Sequence, residues 1–120
     1  MSYVDGYILP VPKKNLTAYR RMATKAGKIW RKYGALDYKE CVSDDLNTEW
    51  GVPFTKTVKA KPDEVVIVAY VVFKSRKHRD QVNAKVMKDP YMSDSAHKDE
   101  PMPFDMKRMV YGGFEVIVDA

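Results

Sequence analysis

Three carboxylates stand beside phenols at separations that suit extended chain. Asp5 lies between Tyr3 and Tyr7, Glu40 follows Tyr38 by two residues, and Glu115 follows Tyr111 by four. On a β-strand, side chains at even separations share a face, so each acid would stand near an aromatic hydroxyl. A carboxylate enclosed by apolar walls loses hydration, its pKa rises, and it can take or give a proton near neutral pH. Asp5, Glu40 and Glu115 are therefore the candidate general acids or bases, and Tyr7, Tyr38 and Tyr111 are placed to position a substrate. The opposing reading has these groups facing solvent or hydrogen-bonding at an interface, since a one-residue slip in register turns every side chain over.

A second candidate is Pro103-Phe104-Asp105-Met106-Lys107-Arg108, just before a stretch containing Gly112-Gly113. Lys107 and Arg108 could hold an anionic substrate, with Asp105 orienting one of them. Paired glycines allow a bulge, or close approach of a ligand or another backbone. The structural alternative is a loop whose charges pair internally. His78 on a helix stripe, His97 in a polar loop and the lone Cys41 cannot build a closed zinc site in one chain. His78 could at most serve as a single axial haem ligand, and Cys41 reads as a small buried hydrophobe. Trp30, Trp50 and the methionines read as packing. No metal or cofactor is predicted.

Composition narrows the classes further. The chain has 120 residues, 45% hydrophobic and 31% charged, with a net charge of +5, which fits one globular domain spanning 1–120. No apolar stretch is long enough for a membrane-spanning helix, and the N-terminus lacks the basic and apolar regions of a secretory signal. One cysteine suits the reducing cytoplasm. Lys74-Ser75-Arg76-Lys77-His78-Arg79 is dense in cations and could meet phosphates. Acids interrupt the cations elsewhere and no aromatic-studded recognition signature accompanies them, which argues against nucleic acid as a partner.

The elements that must position these groups follow from periodicity. Residues 1–10 alternate as a strand, ended by Pro10 and Pro12. Leu16, Tyr19, Ala23, Ala26, Trp30 and Tyr33 recur at helical spacing within 13–33, with Arg21, Lys25, Lys28 and Lys32 opposite and Gly34 as C-terminal cap. A mixed strand over 35–45 leads to a long connection, with a short extended piece at 55–60. Residues 65–73 form an uninterrupted apolar, β-branched strand. Ser75 caps a helix running to about Lys88, residues 89–107 form an irregular loop, and a last strand over 109–118 is interrupted at Gly112-Gly113. The βαββαβ order predicts a ferredoxin-like α+β fold, an antiparallel sheet with both helices on one face.

That plan leaves a face uncovered. A strand apolar on both sides needs both faces of its sheet buried, and two helices cover only one. A contiguous patch of Val, Ile, Tyr and Phe marks an interface or a ligand groove. The economical solution is a homodimer with two sheets packed face to face. The alternative is a monomer whose long loops fold over the sheet.

Several stretches resemble one bacterial family. Tyr3-Val4-Asp5-Gly6-Tyr7-Ile8-Leu9-Pro10, Lys59-Ala60-Lys61-Pro62-Asp63-Glu64, Lys74-Ser75-Arg76-Lys77-His78-Arg79-Asp80 and Pro103-Phe104-Asp105-Met106-Lys107-Arg108 with Tyr111-Gly112-Gly113-Phe114 are similar to the YbaA-like proteins, domain of unknown function 1428. The resemblance implies a dimeric α+β barrel of ferredoxin-like subunits and no established activity, and fold alone transfers none. Two functions fit. One is small-molecule binding or cofactor-independent chemistry in a cavity, either between helices and sheet or between paired sheets. The other is a non-enzymatic binding or regulatory module contacting nucleic acid through its basic patches. A bare interaction scaffold is a third possibility.

Overall fold

The computed structural model describes residues 1–93 and 101–120; the predicted loop position of His97 lies outside them. Strand β1 (Tyr3–Pro12) leads through a 3-10 turn (Lys13–Asn15) into helix α1 (Leu16–Lys32), then β2 (Asp37–Val42), α2 (Phe54–Thr57), β3 (Glu64–Phe73), α3 (Arg76–Lys88) and β4 (Val110–Glu115). The four strands form one antiparallel sheet in the order β2-β3-β1-β4. This is the ferredoxin-like α+β arrangement that the order of elements predicts.

Where alternation ends the first strand at Pro10, β1 runs on to Pro12. Lys13 N–H donates to the Asp63 carbonyl and pairing with β3 continues through Pro12↔Glu64. Odd-numbered residues of β1 therefore turn their amides toward β3, and Pro10 and Pro12 turn away. On that other side β4 reaches only to Ile8↔Val110, so the missing amides cost no ladder bond.

Two further expectations are corrected. The connection over 55–60 holds a helical turn rather than an extended piece: Thr57 and Val58 N–H bond back to Pro53 and Phe54. Pro53 precedes that turn in an extended conformation, its ring holding φ at −67°. The last strand is shorter than predicted and has no bulge, because register with β1 passes unbroken through Gly6↔Gly112 and Asp5↔Gly113. Gly113 serves packing instead. A Cβ there would lie 2.3 Å from the Tyr3 hydroxyl, so its absence makes room for the tyrosine ring.

Helices α1 and α3 cover one face, while on the other Pro10 and Val66 are fully buried and the rest of that face is more open. Leu9, Val11, Ile67 and Ala69 pack with Tyr19 and Ala23 of α1 in one cluster, and Val71 and Phe73 pack with Ala35 and with Val82 and Val86 of α3 in another. Each buried aliphatic side chain contributes about 1.5–3 kcal/mol. The opposite face presents Val4 and Ile8 of β1, Val68, Tyr70 and Val72 of β3, and Val110 and Phe114 of β4. Of these Val68, Val110 and Phe114 are exposed. Cys41 lies on this outer face at the β2 edge and is exposed, not buried as its residue type suggests. Trp50, read as packing, is 86% exposed in the connection after β2. Among the described residues no helix is long and apolar enough to cross a membrane.

Candidate functional site

Register places Asp5, Tyr7, Tyr38, Glu40, Tyr111 and Glu115 all on the helix-covered face. Of the two spaces open to them in the sequence, they face the one between helices and sheet. They do not form one cluster.

Glu40 and Tyr38 come together with a third group. Glu40 Oε2 accepts from the Tyr38 hydroxyl and Oε1 from the Tyr19 hydroxyl of α1, each at 2.5 Å. Charge-assisted O–H···O⁻ bonds fall in this distance range. Burial first, then Glu40, pushes both phenols far above the ordinary tyrosine range, so both stay protonated and donate. A carboxylate offers about four acceptor directions, and the two phenols use one on each oxygen. The group can still accept a proton or hydrogen bond from a bound molecule.

This triad forms the floor of a groove of about 780 Å³ between α1 and the edge strand β2. Leu16, Ala23, Val42 and Ile67 give it apolar walls, and Arg20, Lys28 and Arg31 line its rim. Lys28, predicted on the solvated side of the helix, sits at this mouth. Gly27 keeps the floor in place, since a Cβ there would lie 2.8 Å from the Tyr38 ring. Alanine normally favours a helix interior over glycine by about 1 kcal/mol, yet Gly27→Ala should lower stability by about 1–2 kcal/mol because overpacking outweighs propensity. Urea unfolding would measure this, and a stability gain would show that Tyr38 yields without cost.

Asp5 belongs to a different network. It is 4% exposed under α3, with Arg79 Nη1 at 3.3 Å from Oδ1 and Asn83 Nδ2 donating to Oδ2 at 3.4 Å. Asn83 Oδ1 in turn accepts from Trp30 Nε1, which ties α1 to α3. Desolvation raises the Asp5 pKa, opposed first by the Arg79 charge. Arg79 also lies over the Tyr3 ring and donates to its hydroxyl, so one cation of the predicted basic patch is turned inward. Tyr7 stacks on Tyr111 with centroids 6.0 Å apart. Burial and then Asp5 push its hydroxyl up to about 12. Tyr111 and Glu115, on the edge strand β4, are exposed, so Glu115 lacks the apolar enclosure that would suit it to proton transfer.

The Asp105–Arg108 segment lines a second cleft of about 480 Å³ with Pro12, Lys59, Lys61 and Glu64. Its central cation, Arg108, pairs within the chain. Arg108 donates to both Glu64 oxygens at 2.7 and 2.9 Å and to the Lys59 carbonyl. The Asp105 carboxylate accepts from Lys107 N–H at the start of a 3-10 turn (Met106–Arg108), and the Lys107 side chain is exposed. Arg108 holds the Glu64 carboxyl below the usual range. A depressed folded pKa gives stability that is present above the unfolded value of 4.5 and lost as pH falls through the folded one. Arg108→Ala should therefore cost about 1.5–3 kcal/mol at pH 7 and less as pH falls below 4.5 toward 3, read by thermal unfolding at both ends. An equal loss at both pH values would mean that the guanidinium acts by packing alone.

His78 Nδ1 accepts from Lys74 N–H at 3.0 Å, and its ring meets Phe73 edge-on. Those contacts give it a structural place at the start of α3.

Residues 2–106 match the model of DUF1428, a protein family of unknown function. The chain is also 42% identical over 119 residues to the uncharacterized protein YbaA of Escherichia coli (strain K12), covering 99% of each. The Shigella flexneri YbaA matches to the same extent. The chain belongs to the DUF1428 family. The family match takes in the whole groove, both Asp5 and Glu40, and all of α3. The relatives' coverage extends it through β4.

Sequence reasoning missed Tyr19, Arg79 and Asn83. Tyr19 counted as one residue of an apolar helix stripe, although a buried phenol needs a partner, and that need was the available signal. Arg79 and Asn83 sit on α3, and nothing local in sequence tells which turn of it lies over β1.

Proposed function

We propose that this protein is a cytoplasmic homodimer that binds a small molecule in the groove between α1 and β2, where cofactor-independent proton transfer through Glu40 is available. The observation that carries this reading is the Glu40 carboxylate bonded on both oxygens by phenols at the floor of an apolar-walled groove. A ligand seated there replaces water over the carboxylate, and a proton on an acidic O–H or C–H of the ligand passes to Glu40, leaving its electron pair on the ligand. Returning the proton to the same or another atom completes the cycle. Tyr19 and Tyr38 hold the carboxylate oxygens and spread the charge.

The outer face of the sheet supports the homodimer. Its charged strand residues, Asp37, Lys39 and Glu64, are each paired within the chain, Lys39 with Asp37 at 3.0 Å and Glu64 with Arg108 at 2.7 Å. What remains is largely apolar and suits a second copy of itself across a twofold axis.

A fragment screen followed by backbone amide shifts tests the groove. Fragments should converge on Ala23, Gly27, Tyr38 and Val42, and a Thr24→Trp variant that fills the mouth should abolish those shifts. Convergence on β4 and Tyr111 instead would move the site to the opposite edge of the sheet.

A further inference from the structure

The charges around the groove say what kind of molecule it takes. Its charged lining residues are Arg20, Lys28, Arg31 and Glu40, three cations against one anion. The anion is already engaged by two hydroxyls. Arg31 is anchored at the end of α1 by the Ala35 and Leu36 carbonyls; the Asp37 carboxylate feels its charge from a distance, but no ion pair engages it among the described residues. Arg20 and Lys28, two turns apart on α1, make no ion pair among the described residues. The half-buried arginines elsewhere are engaged by acids: Arg79 by Asp5 and Asp80, and Arg108 by Glu64.

Between rim and floor the walls are apolar, from Leu16, Ala23, Val42 and Ile67. A ligand filling the groove thus meets low-dielectric surface along its body and unneutralised positive charge at the mouth, where field lines are focused between protein walls. A purely apolar ligand would leave those cations unused, and a cationic one would be repelled by all three.

We infer that the groove takes a small organic anion, an apolar body bearing one carboxylate- or phosphate-sized head, with the head held at the rim by Arg20, Lys28 and Arg31. This rests on the groove reading above and names the chemical class of its ligand.

Three probes with the same aromatic body and different heads test it: phenylacetate, 2-phenylethanol and 2-phenylethylamine, each titrated into the whole protein while the amides of Ala23, Gly27 and Tyr38 are followed. At low salt phenylacetate should bind about tenfold tighter than the alcohol, and the amine should bind weakest. The advantage should fall to about threefold or less at 0.5 M salt as the Debye length shortens. Arg20 and Lys28 are exposed, so the double variant R20Q/K28Q keeps the fold and should bring acid and alcohol within about twofold of each other. If the alcohol binds wild type as tightly as the acid, or the amine binds tightest, the groove stands and the anion assignment falls. If no probe shifts those amides, the groove reading falls and takes the assignment with it.

Discussion

Placing a lysine at Val68 should split the proposed homodimer while leaving the subunit folded. Val68 lies on β3, an inner strand of the sheet, on the face away from the helices, opposite Ile8 and Cys41. It is 36% exposed in the single chain, so the longer side chain reaches water in a monomer and its ammonium is not trapped. In a face-to-face twofold dimer the same substitution buries two ammonium groups among valines. Uncompensated buried charge costs several kcal/mol, and a loss of about 4 kcal/mol weakens dimerisation roughly 10³-fold. Sedimentation equilibrium should show a dimer for wild type and a monomer for Val68→Lys, with matching circular dichroism. A variant that stays dimeric would place the interface elsewhere.

Arg79→Met should strongly destabilise the helix-covered face. Asp5 is the more enclosed partner of the pair, its side chain 5% exposed against 22% for Arg79. The contact is close, but Oδ1 accepts no hydrogen bond in it. Removing the guanidinium leaves a buried carboxylate supported only by Asn83. Breaking a buried pair costs about 3–5 kcal/mol, and the remaining amide bond puts the expected loss near the lower end at pH 7. The pH dependence follows from the raised pKa of Asp5. The folded state binds its proton more tightly than the unfolded state, so the contribution of Asp5 to stability is greatest at low pH and declines as pH rises from the unfolded value of 3.8 through the folded one. Without Arg79 the folded pKa rises further and that window widens. The variant should therefore regain part of its loss between pH 7 and pH 4, measured by urea unfolding. A pH-independent loss would mean that Arg79 acts through its packing on Tyr3.

Much of the fold is legible in residue patterns because the patterns and the packing agree. Ser75 accepts from His78 N–H as an N-cap, Gly34 adopts φ +117° after α1, and the run from Val65 to Phe73 is one strand. The errors fall where partners rather than neighbours decide. Pro10 and Pro12 stay in β1 because β4 stops short of them, a fact of a strand nearly a hundred residues away. Gly112-Gly113 looks like a break, yet Gly113 is set by the Tyr3 ring across the ladder. The site was half legible for the same reason. Tyr38 and Glu40 share a strand face and meet as their spacing requires, whereas Asp5, two strands away, answers to α3. Glu115 has the spacing but lies at an edge that no helix covers.

Native mass spectrometry of gently purified protein, intact and then denatured, beside a Glu40→Gln sample, would show both the assembly and any occupant of the groove. A dimer should appear carrying a small mass that denaturation releases, with that mass depleted when Glu40 is replaced. A monomer, or a small mass held equally well by the Glu40→Gln protein, would contradict the proposed function.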